Sequence, residues 1–160
     1  MRSSLIKDWF YYYIAYEDLK KSLRTDFEHS TAFATQPGKN KRKPWDEDDE
    51  QRFINQMEEE LDKVYTFQTV KSQEIMRRIK TSEKEVDDVV GRMSAAQTSD
   101  GQGKVEEPDE EEFDLLEEDL SDIIADVHDL ANFTKLNYTG FQKIIKKHDV
   151  RLRAFLAFHS

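Results

Sequence analysis

Apolar residues recur along most of this chain at intervals of three and four, the spacing of amphipathic α-helices rather than of strands. Between Asp46 and Gln97 the positions Phe53, Met57, Leu61, Val64, Phe67, Ile75, Ile79, Val86, Val90 and Met93 trace one long stripe. Polar residues fill the opposite face and no proline interrupts it, so the pattern predicts a single helix over 47–97. A second stripe, Phe113, Leu116, Leu120, Ile123, Ile124, Val127, Leu130 and Leu136, predicts another long helix that begins near 111. Neither stripe can bury itself. Two such helices joined by the Gly/Asp/Glu linker 98–110 are expected to pair antiparallel.

The ends of the chain carry shorter patterns. Leu5, Ile6, Trp9, Phe10 and Tyr13 form one apolar stripe, and Tyr16, Leu19, Lys20 and Leu23 start another after an aromatic, β-branched stretch at Tyr11–Ala15. Residues 1–27 therefore read as a hairpin of two short helices, with Leu19 and Leu23 inward and Tyr16 and Lys20 on the adjoining strip. Residues 28–46, rich in Ser, Thr, Gly and Pro and carrying Lys39, Lys41, Arg42 and Lys43, read as a mobile loop. Near Asn137–Gly140 the second long helix either breaks or bends. Thr139 and Gln142 match a capping box, Asn137 is a rival cap, and either way Phe141, Ile144 and Ile145 offer an inward face. The expected fold is all-α and a single domain over 1–160. An N-terminal helical hairpin packs on a bundle with two long antiparallel helices, the second covering 111–149 with its basic segment. A short C-terminal helical segment and a tail over 150–160 follow.

Composition supports this picture. The 160 residues are 37% hydrophobic and 36% charged with only 5 Gly and 3 Pro, too few turn formers for an all-β chain. Cysteine is absent, which excludes disulfides and thiolate metal sites. No apolar run approaches the roughly 18 residues of a membrane-spanning helix, and the N-terminus lacks the pattern of a secretory signal, so a cytoplasmic location is expected. A net charge of −10 argues against a nucleic-acid partner. That average conceals a polarity, since Lys143–Arg153 carries Lys143, Lys146, Lys147, Arg151 and Arg153 against Asp149 alone.

Lys143, Lys146 and Lys147 stand at i, i+3 and i+4, which puts three ammonium groups on one side of a helix. Crowding like charges costs a few tenths of a kcal/mol per pair, so an anion such as phosphate is a natural counterpart. Lysines late in a helix also complement its dipole and its free carbonyls. Spacing alone leaves both readings open. Other chemistry is thin. No two of His29, His128, His148 and His159 share the i, i+4 spacing of a helical metal pair, and Glu106–Glu112 lacks the pattern of a calcium loop. His148 either touches phosphate beside the lysines or caps a helix end. Glycine-rich phosphate loops and nucleophile motifs are missing, so no catalysis, metal or cofactor is expected.

Three ordered pieces bear a resemblance: YYYIAYEDLKKSLR at Tyr11–Arg24, LDKVYTFQTVKSQEIMRRIK at Leu61–Lys80, and LLEEDLSDIIADVHDLANFTKLNYTGFQKIIKKHD at Leu115–Asp149. Together they resemble the SPX domain family, in particular the SPX domains of fungal vacuolar transporter chaperone complexes, in the subunit bearing the polyphosphate polymerase. The resemblance implies a sensor of inositol hexakisphosphate or inositol pyrophosphates that reports cellular phosphate status. Its partners would be other domains or subunits of a vacuolar transporter chaperone-like complex at the cytosolic face of the vacuolar membrane. It places a phosphate cluster on Tyr16, Lys20 and Lys147, and a surface lysine cluster on Lys143 and Lys146. Lys21 is a bystander. The chain departs from the family in opening MRSSL rather than MKFGxxL, and in carrying Val150 where the family continues with another lysine; Arg151 and Arg153 are candidate substitutes. The alternative function is a helical interaction module without ligand sensing.

Overall fold

The computed structural model describes residues 5–23, 45–98 and 108–158, the last five of these as backbone alone. Most of the expected loop and its basic cluster, the linker positions 99–107 and the opening MRSS lie outside the described residues. Among the described residues every regular element is helical: a 3-10 helix, Lys7–Tyr12, then α1, Tyr16–Leu23, α2, Glu47–Thr98, and α3, Glu110–Phe158. The first of the two short helices thus has the tighter 3-10 winding.

Both long helices start on aspartate. The carboxylate of Asp46 accepts the Asp49 N–H at 2.9 Å while Asp49 accepts the Asp46 N–H at 3.3 Å, a reciprocal capping box. Asp109 accepts the Glu112 N–H at 2.9 Å in the same way at the head of α3. Acidic residues fill the first turn of each, facing the positive end of the dipole.

The described residues fall into two compact units, one within Met1–Phe67 and Phe133–Ser160, the other within Gln68–Asn132. In the first, Leu19, Leu23, Trp45, Phe53 and Ile144 form the buried core, with Ile14, Tyr16 and Met57 packed against it. Leu19 and Ile144 are wholly buried, worth about 1.5–3 kcal/mol each. Rings line the opposite end of this unit. Trp9 meets Phe67 and Phe133 edge-on at 5.2 and 5.8 Å, and Tyr12 stacks on Phe67 at 4.1 Å. Phe133, absent from the apolar stripe read in the sequence, is fully buried.

Helix α3 does not break at Asn137. Thr139 donates its hydroxyl to the Lys135 carbonyl at 2.8 Å within the helix, so the capping box does not form. The expected short C-terminal segment is instead the last turns of α3, which runs on to Phe158. Ile145, expected inward, is exposed.

In the second unit α2 and α3 pair antiparallel. Arg92 bonds Glu112, while Arg78, earlier in α2, bonds Asp119 at 3.2 Å and Asp126 farther along α3. Ile75, Ser82 and Val89 on α2 and Ile123 on α3 are buried along the seam. The Ser82 hydroxyl donates to Asp119. Bonds from Ser82 and then from Arg78 hold the Asp119 carboxyl below its usual range. The stripes prove wider than the seam: a helix with one partner buries a narrow strip, and Ile79, Val90, Met93, Phe113, Leu120 and Val127 stay exposed.

Candidate ligand-binding site

The site is set by how the chain enters α1. After the 3-10 helix the backbone extends at Tyr13, with φ −70° and ψ 153°, and the next two amides have no helical acceptor. Both are captured by the long helices. The Ile14 N–H donates to Oδ1 of Asn137 at 2.8 Å, and the Ala15 N–H donates to Oε2 of Glu60 at 2.6 Å. Asn137 is itself held, donating its amide to the Phe133 carbonyl at 2.9 Å. Its role is a buried tie between elements rather than a helix cap.

One turn along α3, Gly140 lets the chain come close. A Cβ there would sit 2.8 Å from Cγ2 of Ile14. These contacts bring Tyr16, the first residue of α1, to the α3 face that bears Leu136, Gly140 and Lys143. Between them opens a cavity of about 560 Å³. Leu5, Phe10, Ile14 and Leu136 give it apolar walls, and Tyr16, Lys63 and Lys143 supply hydrogen-bond donors. Glu17 and Asp18 also line it, so the cavity walls alone are not basic. Lys146 and Lys147, exposed in the turn of α3 beyond Lys143, extend the positive charge outward.

Of the five residues singled out in the sequence, Tyr16 and Lys143 share this cavity, whereas Lys20, Lys146 and Lys147 do not line it. Lys20 reaches Glu17 at 3.4 Å. Lys63 is a lining residue that the sequence pattern does not disclose. It stands among the acids of α2 and pairs with Glu60 at 2.6 Å, so neither charge balance nor motif marks it.

No family model matches the chain. It is 42% identical over 149 residues, 93% of its length, to vacuolar transporter chaperone complex subunit 4 of Schizosaccharomyces pombe. It is 34% identical over 138 residues, 86% of its length, to vacuolar transporter chaperone complex subunit 2 of Saccharomyces cerevisiae. It is also 31% identical over 108 residues, 68% of its length, to SPX domain-containing protein 1 of Oryza sativa subsp. japonica. The chain is an SPX domain. It spans 18%, 14% and 32% of these relatives, respectively.

Two basic residues of this SPX domain have structural work. His148 does not cap a helix end, since α3 continues beyond it. Its Nε2 lies 2.7 Å from Oε1 of Glu50 and its ring stacks on Phe53 at 4.9 Å. The other oxygen of Glu50 accepts the Trp45 indole N–H at 3.0 Å. Arg151 lies over the Trp45 ring at 4.0 Å and donates to the carbonyl of Leu23, the last residue of α1. It closes the core and caps α1 with positive charge.

The lysines of α1 are held by weak surface pairs. Lys20–Glu17 and Lys21–Asp18 are i, i+3 pairs with acid partners about two-thirds exposed. Pairs of this kind are worth about 0.5 kcal/mol or less.

Proposed function

We propose that this SPX domain binds inositol polyphosphates, inositol hexakisphosphate or its pyrophosphate derivatives, through Tyr16, Lys20, Lys143, Lys146 and Lys147. In this reading occupancy regulates an attached or associated polyphosphate polymerase of a vacuolar transporter chaperone-like complex, at the cytosolic face of the vacuolar membrane. The observation that carries the reading is the shared cavity of Tyr16 and Lys143, two residues 127 positions apart that come from different helices. The likeness to chaperone-complex subunits supports the setting.

The chemistry is electrostatic capture. A phosphate seated at the cavity mouth accepts from the Tyr16 hydroxyl and the Lys143 ammonium, and neighbouring phosphates on the same ring reach Lys146 and Lys147. Lys20 exchanges Glu17 for a phosphate oxygen. Relief of repulsion among the α3 lysines adds to the gain. The domain needs no catalytic group for this, since the ligand is read and not transformed.

The test is calorimetric titration of inositol hexakisphosphate into the chain at about 0.1 M and about 1 M salt, where the screening length falls from about 10 to about 3 Å. Micromolar or tighter binding that weakens steeply with salt is expected. Absence of heat at low salt, with a particle size indifferent to the compound, would instead leave a helical interaction module.

A further inference from the structure

The unit within Gln68–Asn132 has two unlike flanks. On one flank of the α2–α3 seam Arg78 and Arg92 meet Asp119, Asp126 and Glu112. Each residue turns the helix by about 100°. From the buried Ile75, Ser82 and Val89, that step carries Arg78 and Arg92 to one side and Ile79, Val90 and Met93 toward the other. On α3 the same steps from Ile123 place Asp119 and Asp126 on the ion-paired side and Phe113, Leu120 and Val127 on the other. Because the helices are antiparallel, equal rotations from the seam meet on the same flank. The two apolar rows therefore border one groove.

All six of these side chains are between 37% and 54% exposed, and Phe113, Leu120 and Val127 repeat at heptad spacing. A groove of this form between two antiparallel helices is the seat of a third helix in a bundle. The rims identify its chemistry. On α2 Glu83 lies in the row of Val90, with Asp87 and Lys80 next outward, and on α3 Glu110 and Glu117 lie in the row of Ile124, with Asp114 next outward, all exposed; five carboxylates against one ammonium leave the rims acidic. From Asp109 to Asn132 α3 has no lysine or arginine. A second copy of this chain would bring acidic rim against acidic rim.

We propose that this groove docks an amphipathic helix of a partner protein, one whose apolar stripe is flanked by lysine and arginine. The apolar rows bind its stripe and the acidic rims select its charge. This surface is independent of the lysine site and stands whether or not that site binds inositol phosphates.

The probe is a fluorescein-labelled peptide of about three heptads with leucine at the a and d positions and lysine or arginine at e and g. A twin peptide carries glutamate in place of every basic residue. Fluorescence anisotropy on the whole chain should show saturable binding of the basic peptide, weaker at high salt, and none of the twin. Leu120→Lys should weaken binding about tenfold or more. Leu115→Lys, which makes the same charge change at an exposed residue on the ion-paired flank, should leave it within about twofold. Circular dichroism checks that each variant folds, and Leu120→Gln carries the test if Leu120→Lys does not. No binding, equal binding of the two peptides, or equal loss in Leu115→Lys would overturn the proposal. So would a dimer of the chain that Leu120→Lys abolishes, because a second copy would then fill the groove.

Discussion

The amide of Ile14 donates to the side-chain oxygen of Asn137 at 2.8 Å, joining the entrance of α1 to the middle of α3 across 123 positions of sequence. Asn137 is 1% exposed, so no water stands ready to replace it. Asn137→Leu keeps the volume but leaves the Ile14 N–H without an acceptor. A loss of about 1–3 kcal/mol in urea unfolding, with an unchanged denaturant slope, is expected. A loss below about 0.5 kcal/mol would show that this tie is dispensable.

Gly140 offers a cleaner sign test. In an open helix interior, alanine would be favoured over glycine by about 1 kcal/mol. Here the new Cβ would press on Cγ2 of Ile14 at 2.8 Å, so Gly140→Ala should destabilise the chain. In an Ile14→Ala background the obstacle is gone and the same change should become stabilising. The double-mutant cycle measures that reversal, and additive effects would deny the contact.

The fold and the site were unequally legible. Helix periodicity disclosed α1, α2 and most of α3, along with the inward Leu19 and Leu23, because these signals are local. The continuity of α3 through Asn137–Gly140 was not legible. Thr139 with Gln142, or Asn137, read as a cap unless it is known that Asn137 holds the Ile14 amide and that Gly140 lies against the Ile14 side chain. The core roles of His148, read as a phosphate contact or a helix-end cap, and of Arg151, read as a candidate substitute for a lysine, were hidden for the same reason. Their partners Glu50, Phe53, Trp45 and Leu23 are distant in sequence, and charge alone does not say whether a cation faces solvent or core. The exposed half of each apolar stripe escaped notice because periodicity marks a face without saying how many neighbours cover it.

Acid should loosen the Gln68–Asn132 unit. Asp119 has its folded pKa lowered by its bonds from Ser82 and then Arg78, relative to about 3.9 in the unfolded chain. Its ionised form therefore contributes stability above that value, and the contribution is lost as pH falls through the folded pKa. Asp119→Asn should lower the melting temperature at about pH 7, and the gap to wild type should shrink as pH falls through the lowered folded pKa. A gap that stays constant with pH would contradict the assignment. The carboxylate is 41% exposed, so the effect should be modest.

Arg151 and Lys147 should separate stability from binding. Arg151→Met removes a cation over Trp45 and a bond to the Leu23 carbonyl, and should cost about 1–3 kcal/mol in unfolding. Lys147→Ala, at an exposed position, should stay within about 0.5 kcal/mol. The reverse order would mean that Lys147 braces the fold and Arg151 does not.

Ligand capture at Tyr16, Lys20, Lys143, Lys146 and Lys147 meets its most direct test in calorimetric titration of inositol hexakisphosphate into the wild type, Lys147→Ala, Lys143→Ala and Tyr16→Phe. Each lysine variant should bind about tenfold more weakly or worse, as the loss of a charged hydrogen bond implies. Tyr16→Phe should lose less than about tenfold, since only a neutral donor is removed. Equal affinity across all four proteins, or no binding by the wild type, would contradict the account.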